Sequence, residues 1–300
     1  MYVLKRNGQK QELDIAHIRK QTIPACEGLK NVSTEELELS AKILFQDGIK
    51  TSDIQQSLID TAKSKVDVQC PEWTYVAQRL ALYDLYHNIK REYSRTGSGD
   101  VYEKVPLDLY IFRNKNILSN WFTKYTDEEI EELNSYIDPK RDLLFDYAGF
   151  ELMRKMYLAK NNGNIVELPQ HMHMSIAMFA MQNENKNKRL QYVKDYYDAT
   201  SKLEFVNATP INSNARLSMG SYISCILVSV GDSTDNIMDV AKEVAFASKQ
   251  GSGVGIDITR IRSVGSSIGY HVNAAGGKIP FMKIYNDIAL AFDQNGKLFA

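Results

Sequence analysis

The spacing of apolar positions changes several times along the chain, and each change predicts a different element. Residues 2–13 alternate as a β-hairpin, with two short strands flanking Asn7-Gly8, a pair that favours the two-residue type I′ turn. The period then lengthens to that of helices. Ser33-x-x-Glu36 is a capping box opening a helix with Leu37, Ala41, Leu44 and Phe45 on one side. Thr51 or Ser52 can cap the next, whose stripe is Ile54, Leu58, Ala62 and Val66. A further helix runs from about Pro71 to Tyr93, with the proline suited to a first turn. The polar stretch Ser94–Asp100 reads as a linker.

From Val101 to about Lys202 the pattern is mostly helical, with a second capping box at Thr126-x-x-Glu129. Tyr110, Phe112, Trp121, Phe122 and Tyr125 read as core there. After Leu203 the texture changes. Residues 221–230 form an apolar β-rich run suited to a buried strand, and Asp232–Lys249 is a helix with Ile237, Val240, Val244 and Ala247 in register. Gly253–Ile258 is a short strand after a glycine turn, and Pro280–Phe292 is another helix. Strand, helix, strand, helix is the opening of a parallel α/β sheet or barrel.

At 300 residues the chain can hold two or three cores. A net charge of -1 gives no reason to expect a nucleic-acid or membrane partner. No segment reaches the ~18 uncharged apolar residues of a membrane span, and the first residues lack a signal-peptide core. Three widely separated cysteines, Cys26, Cys70 and Cys225, fit a reducing, cytoplasmic setting and form no CxxC pair, so no metal site is expected.

Several residues could carry chemistry. Lys5 and Arg6 on the hairpin, with Thr51 at a helix start, would suit a triphosphate; the competing reading is a solvated basic hairpin. Cys225 is either a small buried hydrophobe or a redox thiol. Asp232 in G-D-S-T-D is a good helix N-cap. Q-G-S-G-V-G at 250–255 is not a dinucleotide fingerprint, because its order is helix, turn, strand. His171 and His173, at i and i+2, point to different sides of a helix and do not chelate together.

The blocks V-L-K-R-N-G, E-G-L-K-N-V-S, D-G-I-K-T-S-D-I-Q and Y-V-A-Q-R-L-A-L-Y resemble, in this order, the ATP cone of ribonucleotide reductases. The stretch L-E-F-V-N-A-T-P through S-Y-I-S-C-I-L is similar to the first barrel strand of the class I large (alpha) subunit. The resemblance implies a mixed α+β and α/β chain. Its parts would be an ATP cone of β-hairpin plus four helices at 1–93, a helical domain at 101–202, and the first part of a ten-stranded α/β barrel at 203–300. It places Lys5, Arg6, Gln11, Asp14, His17, Thr51 and His87 at the cone's nucleotide. Gln11 stands where an acidic residue is common, His17 where a lysine is, Gln55 for a histidine and His87 for a basic residue. Weak ATP or dATP binding that strengthens at lower pH is therefore expected.

By the same resemblance Thr209, Ser224 and Gly253 bind substrate, and Cys225 is one of two reducing thiols. Asp232, Ser233, Thr234 and Arg262 bind an allosteric deoxynucleotide wrapped by the loop Ser263–Gly277, in which Gly269 replaces an arginine of some relatives. The implied activity is reduction of ribonucleoside diphosphates to deoxyribonucleoside diphosphates for DNA synthesis. ATP, dATP and other dNTP effectors would act with Mg²⁺. The partners would be a separate metal-containing, radical-generating small subunit, thioredoxin or glutaredoxin as reductant, and a second copy in a homodimer. Because the radical cysteine and the C-terminal thiols are not found here, this chain is expected to be inactive alone and to need a complementing C-terminal chain. The rival readings are a non-catalytic nucleotide-binding regulator and an inactive remnant.

Overall fold

The computed structural model describes residues 1–5, 8–42, 45–93 and 105–292, so the Ser94–Asp100 linker, Arg6, Leu44 and the chain's last eight positions lie outside the described residues. Two compact units are present, Met1–Val206 and Asn207–Ala300.

The first unit opens with β1 (Tyr2–Leu4) and β2 (Lys10–Glu12), antiparallel with Tyr2 opposite Glu12. The turn is one residue longer than the type I′ turn expected. Lys5 N–H donates to the Gln9 carbonyl and Gly8 N–H donates to the Lys5 carbonyl, with Gly8 at φ +82°. Gly8 supplies the left-handed third position of a three-residue loop, which matches strand twist as well as a two-residue one. A third strand joins the hairpin. β3 (Ile49–Lys50) pairs parallel to β1, giving the order β2-β1-β3. Two residues are too few for an alternation pattern to register.

Four helices surround this sheet: α1 (Ile15–Cys26), α2 (Thr34–Lys42), α3 (Thr51–Ser64) and α4 (Trp73–Glu92). Glu36 N–H donates to Ser33 Oγ as expected, but the Glu36 carboxylate pairs with Lys65 at 2.7 Å. Phe45 falls beyond α2, and Val66 falls beyond α3 and is exposed. The cap of α3 also differs. Lys50, held extended by β3, occupies the N-cap with no side-chain bond, so neither Thr51 nor Ser52 caps. The strand runs straight into the helix and leaves no loop residue to turn back on it.

The rest of the unit is mainly helical: α5 (Leu107–Asn114), α6 (Asp127–Tyr136), α7 (Tyr147–Leu152), α8 (Pro169–Met181) and α9 (Lys186–Ser201). A small hairpin of β4 (Lys160–Asn161) and β5 (Asn164–Ile165) lies between α7 and α8. The Thr126–Glu129 capping box is complete in both directions. Glu129 also receives two bonds from Arg189, whose guanidinium lies 4.2 Å from the Tyr125 ring centre. Tyr110, Trp121 and Tyr125 are core, whereas Phe112 is 65% exposed. His171 Nε2 donates to the Val105 carbonyl at 2.8 Å and its ring stacks on Tyr110. Burial lowers its pKa, so it sits in the core as a neutral imidazole.

One polar network ties α4 to this helical part. The fully buried Asp142 carboxyl accepts from Tyr86 Oη (2.8 Å) and Gln170 Nε2 (2.6 Å), and its backbone carbonyl accepts from Gln78 Nε2 (2.8 Å). Tyr197 Oη donates in turn to Gln170 Oε1 at 2.6 Å. Gln78 and Tyr86 lie two turns apart on one face of α4, as a helix of 3.6 residues per turn requires.

The second unit contains α10 (Thr209–Asn214), β6 (Cys225–Ser229), α11 (Thr234–Lys249), β7 (Gly253–Asp257) and α12 (Ile279–Phe292). β6 and β7 are parallel with α11 as the crossover, as the pattern predicts. The core is built by Val230, Ile237, Val240, Val244, Ile261 and Tyr285, with Val228, Val254 and Ile256 packed on it. β6 is not buried on both faces, as its apolar run suggested. Cys225, Leu227 and Ser229 form an exposed face opposite Gly253, Gly255 and Asp257, and Leu227 is 86% exposed. Among the described residues the helical cluster covers one side of the pair, so the apolar run becomes one covered face and one open face.

Candidate functional site

Three groups of side chains stand out, one in the first unit and two at opposite ends of the β6–β7 pair.

In the first unit a cavity of about 420 Å³ opens between the hairpin, α1, α3 and α4. Lys5, Gln11, Asp14, His17, Thr51 and His87 all line it. Residues up to 82 positions apart in sequence thus converge because β1 is the central strand and the N-termini of α1 and α3 begin beside it. Asp14 caps α1 by accepting from Ala16 N–H at 2.8 Å, and it accepts from His17 Nδ1 at 3.1 Å. The His17 bond, helped by the Ala16 N–H, holds the Asp14 carboxyl below the usual range. Gln55 lines the cavity too, but its Nε2 donates to the Leu80 carbonyl at 2.9 Å and so joins α3 to α4. Tyr83 and Arg91 are among the lining residues that the sequence reading passed over. With His87 they recur every fourth residue along α4, and that spacing was the available signal. Tyr83 and His87 stack nearly parallel, 6° between planes, and burial raises the Tyr83 phenol's pKa.

At the N-terminal end of the parallel pair, Ser224 and Cys225 meet Gly253. Gly253 N–H donates to the Ser224 carbonyl at 2.9 Å, and Cys225 is its cross-strand partner. Cys225 Sγ lies 3.8 Å from Ser224 Oγ, and the thiol is exposed, which removes the reading of Cys225 as a buried hydrophobe. A Cβ on Gly253 would lie 3.7 Å from that sulfur, so the glycine leaves open the surface beside it. Ser252, which the sequence reading passed over, donates through Oγ to the Ile223 carbonyl at 2.8 Å and pins the approach to β6. Thr209 is the first residue of α10, and α10 is tied to the same approach by Asn214 Nδ2 donating to the Ser221 carbonyl at 2.8 Å.

At the C-terminal end, the β6–α11 turn carries Asp232, Ser233 and Thr234. Ser233, not Asp232, is the N-cap of α11, accepting from Asn236 N–H at 3.3 Å. Asp232 is drawn outward by Arg262, with Arg262 Nε 2.6 Å from Asp232 Oδ2. The resemblance puts Asp232 and Arg262 at one site, and the structure adds a direct ion pair between them. Arg262 also donates to the Ser267 carbonyl at 3.1 Å, fastening the loop that follows it. That loop is closed by Gly265 N–H to Ala275 and Ala275 N–H to Ser266, both 3.0 Å. Gly269, in the same loop, has φ +56°.

No helix among the described residues is long and apolar enough to cross a membrane. Three family models match the chain in sequence order. The ATP cone domain matches residues 1–88, the ribonucleotide reductase all-alpha domain 143–220, and the ribonucleotide reductase barrel domain 223–298. The cone match suggests binding of a nucleotide effector. Among curated proteins, the chain is 42% identical over 295 residues to a ribonucleoside-diphosphate reductase subunit alpha of Helicobacter pylori, covering 98% of this chain and 36% of that protein. It is 33% identical over 298 residues to ribonucleoside-diphosphate reductase 1 subunit alpha of Escherichia coli K12, covering 99% and 38%. A Synechocystis subunit alpha is 33% identical over 302 residues, covering 98% and 37%. The chain therefore spans little more than a third of the length of these relatives. With cone, all-alpha and barrel matches in one order, and a subunit alpha aligned along nearly all of its residues, the chain belongs to the ribonucleotide reductase large-subunit family, over that family's N-terminal portion.

Proposed function

We propose that the chain serves in the reduction of ribonucleoside diphosphates to deoxyribonucleoside diphosphates, as the part of a large subunit that carries the nucleotide-binding cone, the effector site and one side of the substrate site. The observation that carries this reading is the exposed Cys225 thiol at the start of β6, beside Ser224 Oγ and facing a residue without a side chain. Such a surface lets a ribose lie against the sulfur. The 2′-hydroxyl leaves as water, and two thiols give up two electrons and close to a disulfide, which exchange with thioredoxin or glutaredoxin re-opens. Cys225 is one of these thiols, and Thr209 and Ser224 hold the substrate's phosphate end. The radical that starts the reaction comes from a separate metal-containing small subunit. The second thiol belongs to the remaining length that the relatives have.

In this reading the Asp232–Arg262 pair opens to a deoxynucleoside triphosphate, with Arg262 turning to its phosphates and Asp232, Ser233 and Thr234 holding sugar and base. A homodimer and a cytoplasmic location go with it. Mg²⁺ would enter the cone with its triphosphate, toward the carboxylates Glu12 and Asp84 that line the cavity. The test is CDP reduction by the chain combined with the rest of the relatives' length and a radical subunit. Formation of dCDP that depends on this chain is expected. Turnover that is unchanged when this chain is left out would overturn the proposal and leave the regulator reading. A second measurement isolates the effector site. Calorimetry with dTTP should show Arg262→Ala binding about 10–100-fold more weakly, the worth of a hydrogen-bonded charge contact. Equal affinities would remove Arg262 from the site.

A further inference from the structure

We infer that Arg91 is a phosphate-binding cation of the cone cavity, one turn beyond His87 on α4. The inference rests on the nucleotide reading of that cavity and adds a residue to it. The family match to the cone ends at residue 88, so nothing in the match assigns Arg91. The helix does not end there. α4 continues without a break to Glu92, and its last turn carries Arg91 to the wall of the same cavity as Lys5, Thr51 and His87.

Geometry and charge point the same way. Tyr83, His87 and Arg91 are spaced by four residues, so they form one stripe of α4 along the cavity. Tyr83 and His87 offer flat, stacked faces at 6° to each other, a surface for a base or sugar. Arg91, at the end of the stripe, is exposed and has the reach of a long side chain. A guanidinium is always charged and presents a fork of N–H donors to phosphate oxygens, which an imidazole does not. The cavity otherwise collects carboxylates as well as cations, since Glu12, Asp14 and Asp84 all line it. Among the described lining residues the lysine and arginine side chains are Lys5 and Arg91, so Arg91 adds to the positive charge that a polyanion entering the cavity needs. Gln55, one of the positions that could have compensated, is already bonded to the Leu80 carbonyl.

The test is calorimetry of the full chain with Mg·ATP and, separately, with adenosine. Wild type is expected to bind ATP, and Arg91→Ala to weaken ATP about 10–100-fold while leaving adenosine affinity and melting temperature unchanged. Arg91→Lys should recover part of the loss, because it restores charge without the fork. Equal ATP affinity in wild type and Arg91→Ala overturns the inference alone, with the nucleotide reading intact. An equal loss of ATP and adenosine binding also overturns it, because it marks a structural role. Absence of ATP binding in wild type overturns the nucleotide reading together with it.

Discussion

Replacing Cys225 by serine should abolish multiple-turnover reduction of CDP in the complemented enzyme while leaving dTTP binding unchanged. Serine keeps the size and the hydrogen bonding of the side chain, and the site is open, so neither fold nor substrate contact is the variable. What is lost is the electron pair, because a hydroxyl does not close to a disulfide with a second thiol. The proposed effector site lies at the other end of the parallel pair, past Ser229 and Asp257, and shares no side chain with Cys225. Cys70→Ser is the control and should retain turnover, since Cys70 lies in the first unit outside the proposed chemistry. Turnover by Cys225→Ser within a few-fold of wild type would remove Cys225 from the reaction.

A second large effect is expected from Asp142. Burial pushes its carboxyl up to about 7, against the opposing bonds from Gln170 and Tyr86. An unfolded aspartate titrates near 3.9, so between about pH 4 and 7 the folded chain keeps a proton that the unfolded chain has released. The stabilisation from this proton is complete below the unfolded value and is lost as pH rises through the folded one. The slope within the window is about 1.4 kcal/mol per pH unit. Asp142→Asn cannot ionise, and its amide can still accept from Gln170 while donating to Tyr86 Oη. Urea unfolding of both proteins from pH 5 to 8 should show wild type losing about 2–3 kcal/mol relative to Asp142→Asn as pH rises. A constant difference would mean that Asp142 does not change protonation over this range. The effect bears on the cone, because α4 carries Tyr86 and Gln78 on the Asp142 side and Tyr83, His87 and Arg91 on the cavity side.

Local chemistry fixed the elements that sequence could read. The Thr126–Glu129 box closed as written, because both partners lie within one turn. α11 kept Ile237, Val240, Val244 and Ala247 inside, because a 3.6-residue period needs no distant information. The parallel order of β6 and β7 followed from the helix between them. Where a distant residue competed, the local reading failed. Asp232 left the cap to Ser233 because Arg262 reached it. Thr51 lost its capping role because β3 pairs with β1 and holds Lys50 extended. The same division runs through the candidate sites. Residue type and motif order marked Cys225, Asp232, Arg262 and Thr51 from sequence alone, since a thiol, a carboxylate or a guanidinium carries its chemistry in any fold. Only the tertiary structure decided that Cys225 is exposed beside a glycine, that Gln55 is engaged with α4, and that Arg91 shares a cavity with Lys5, because burial, partners and proximity depend on residues far apart in the chain.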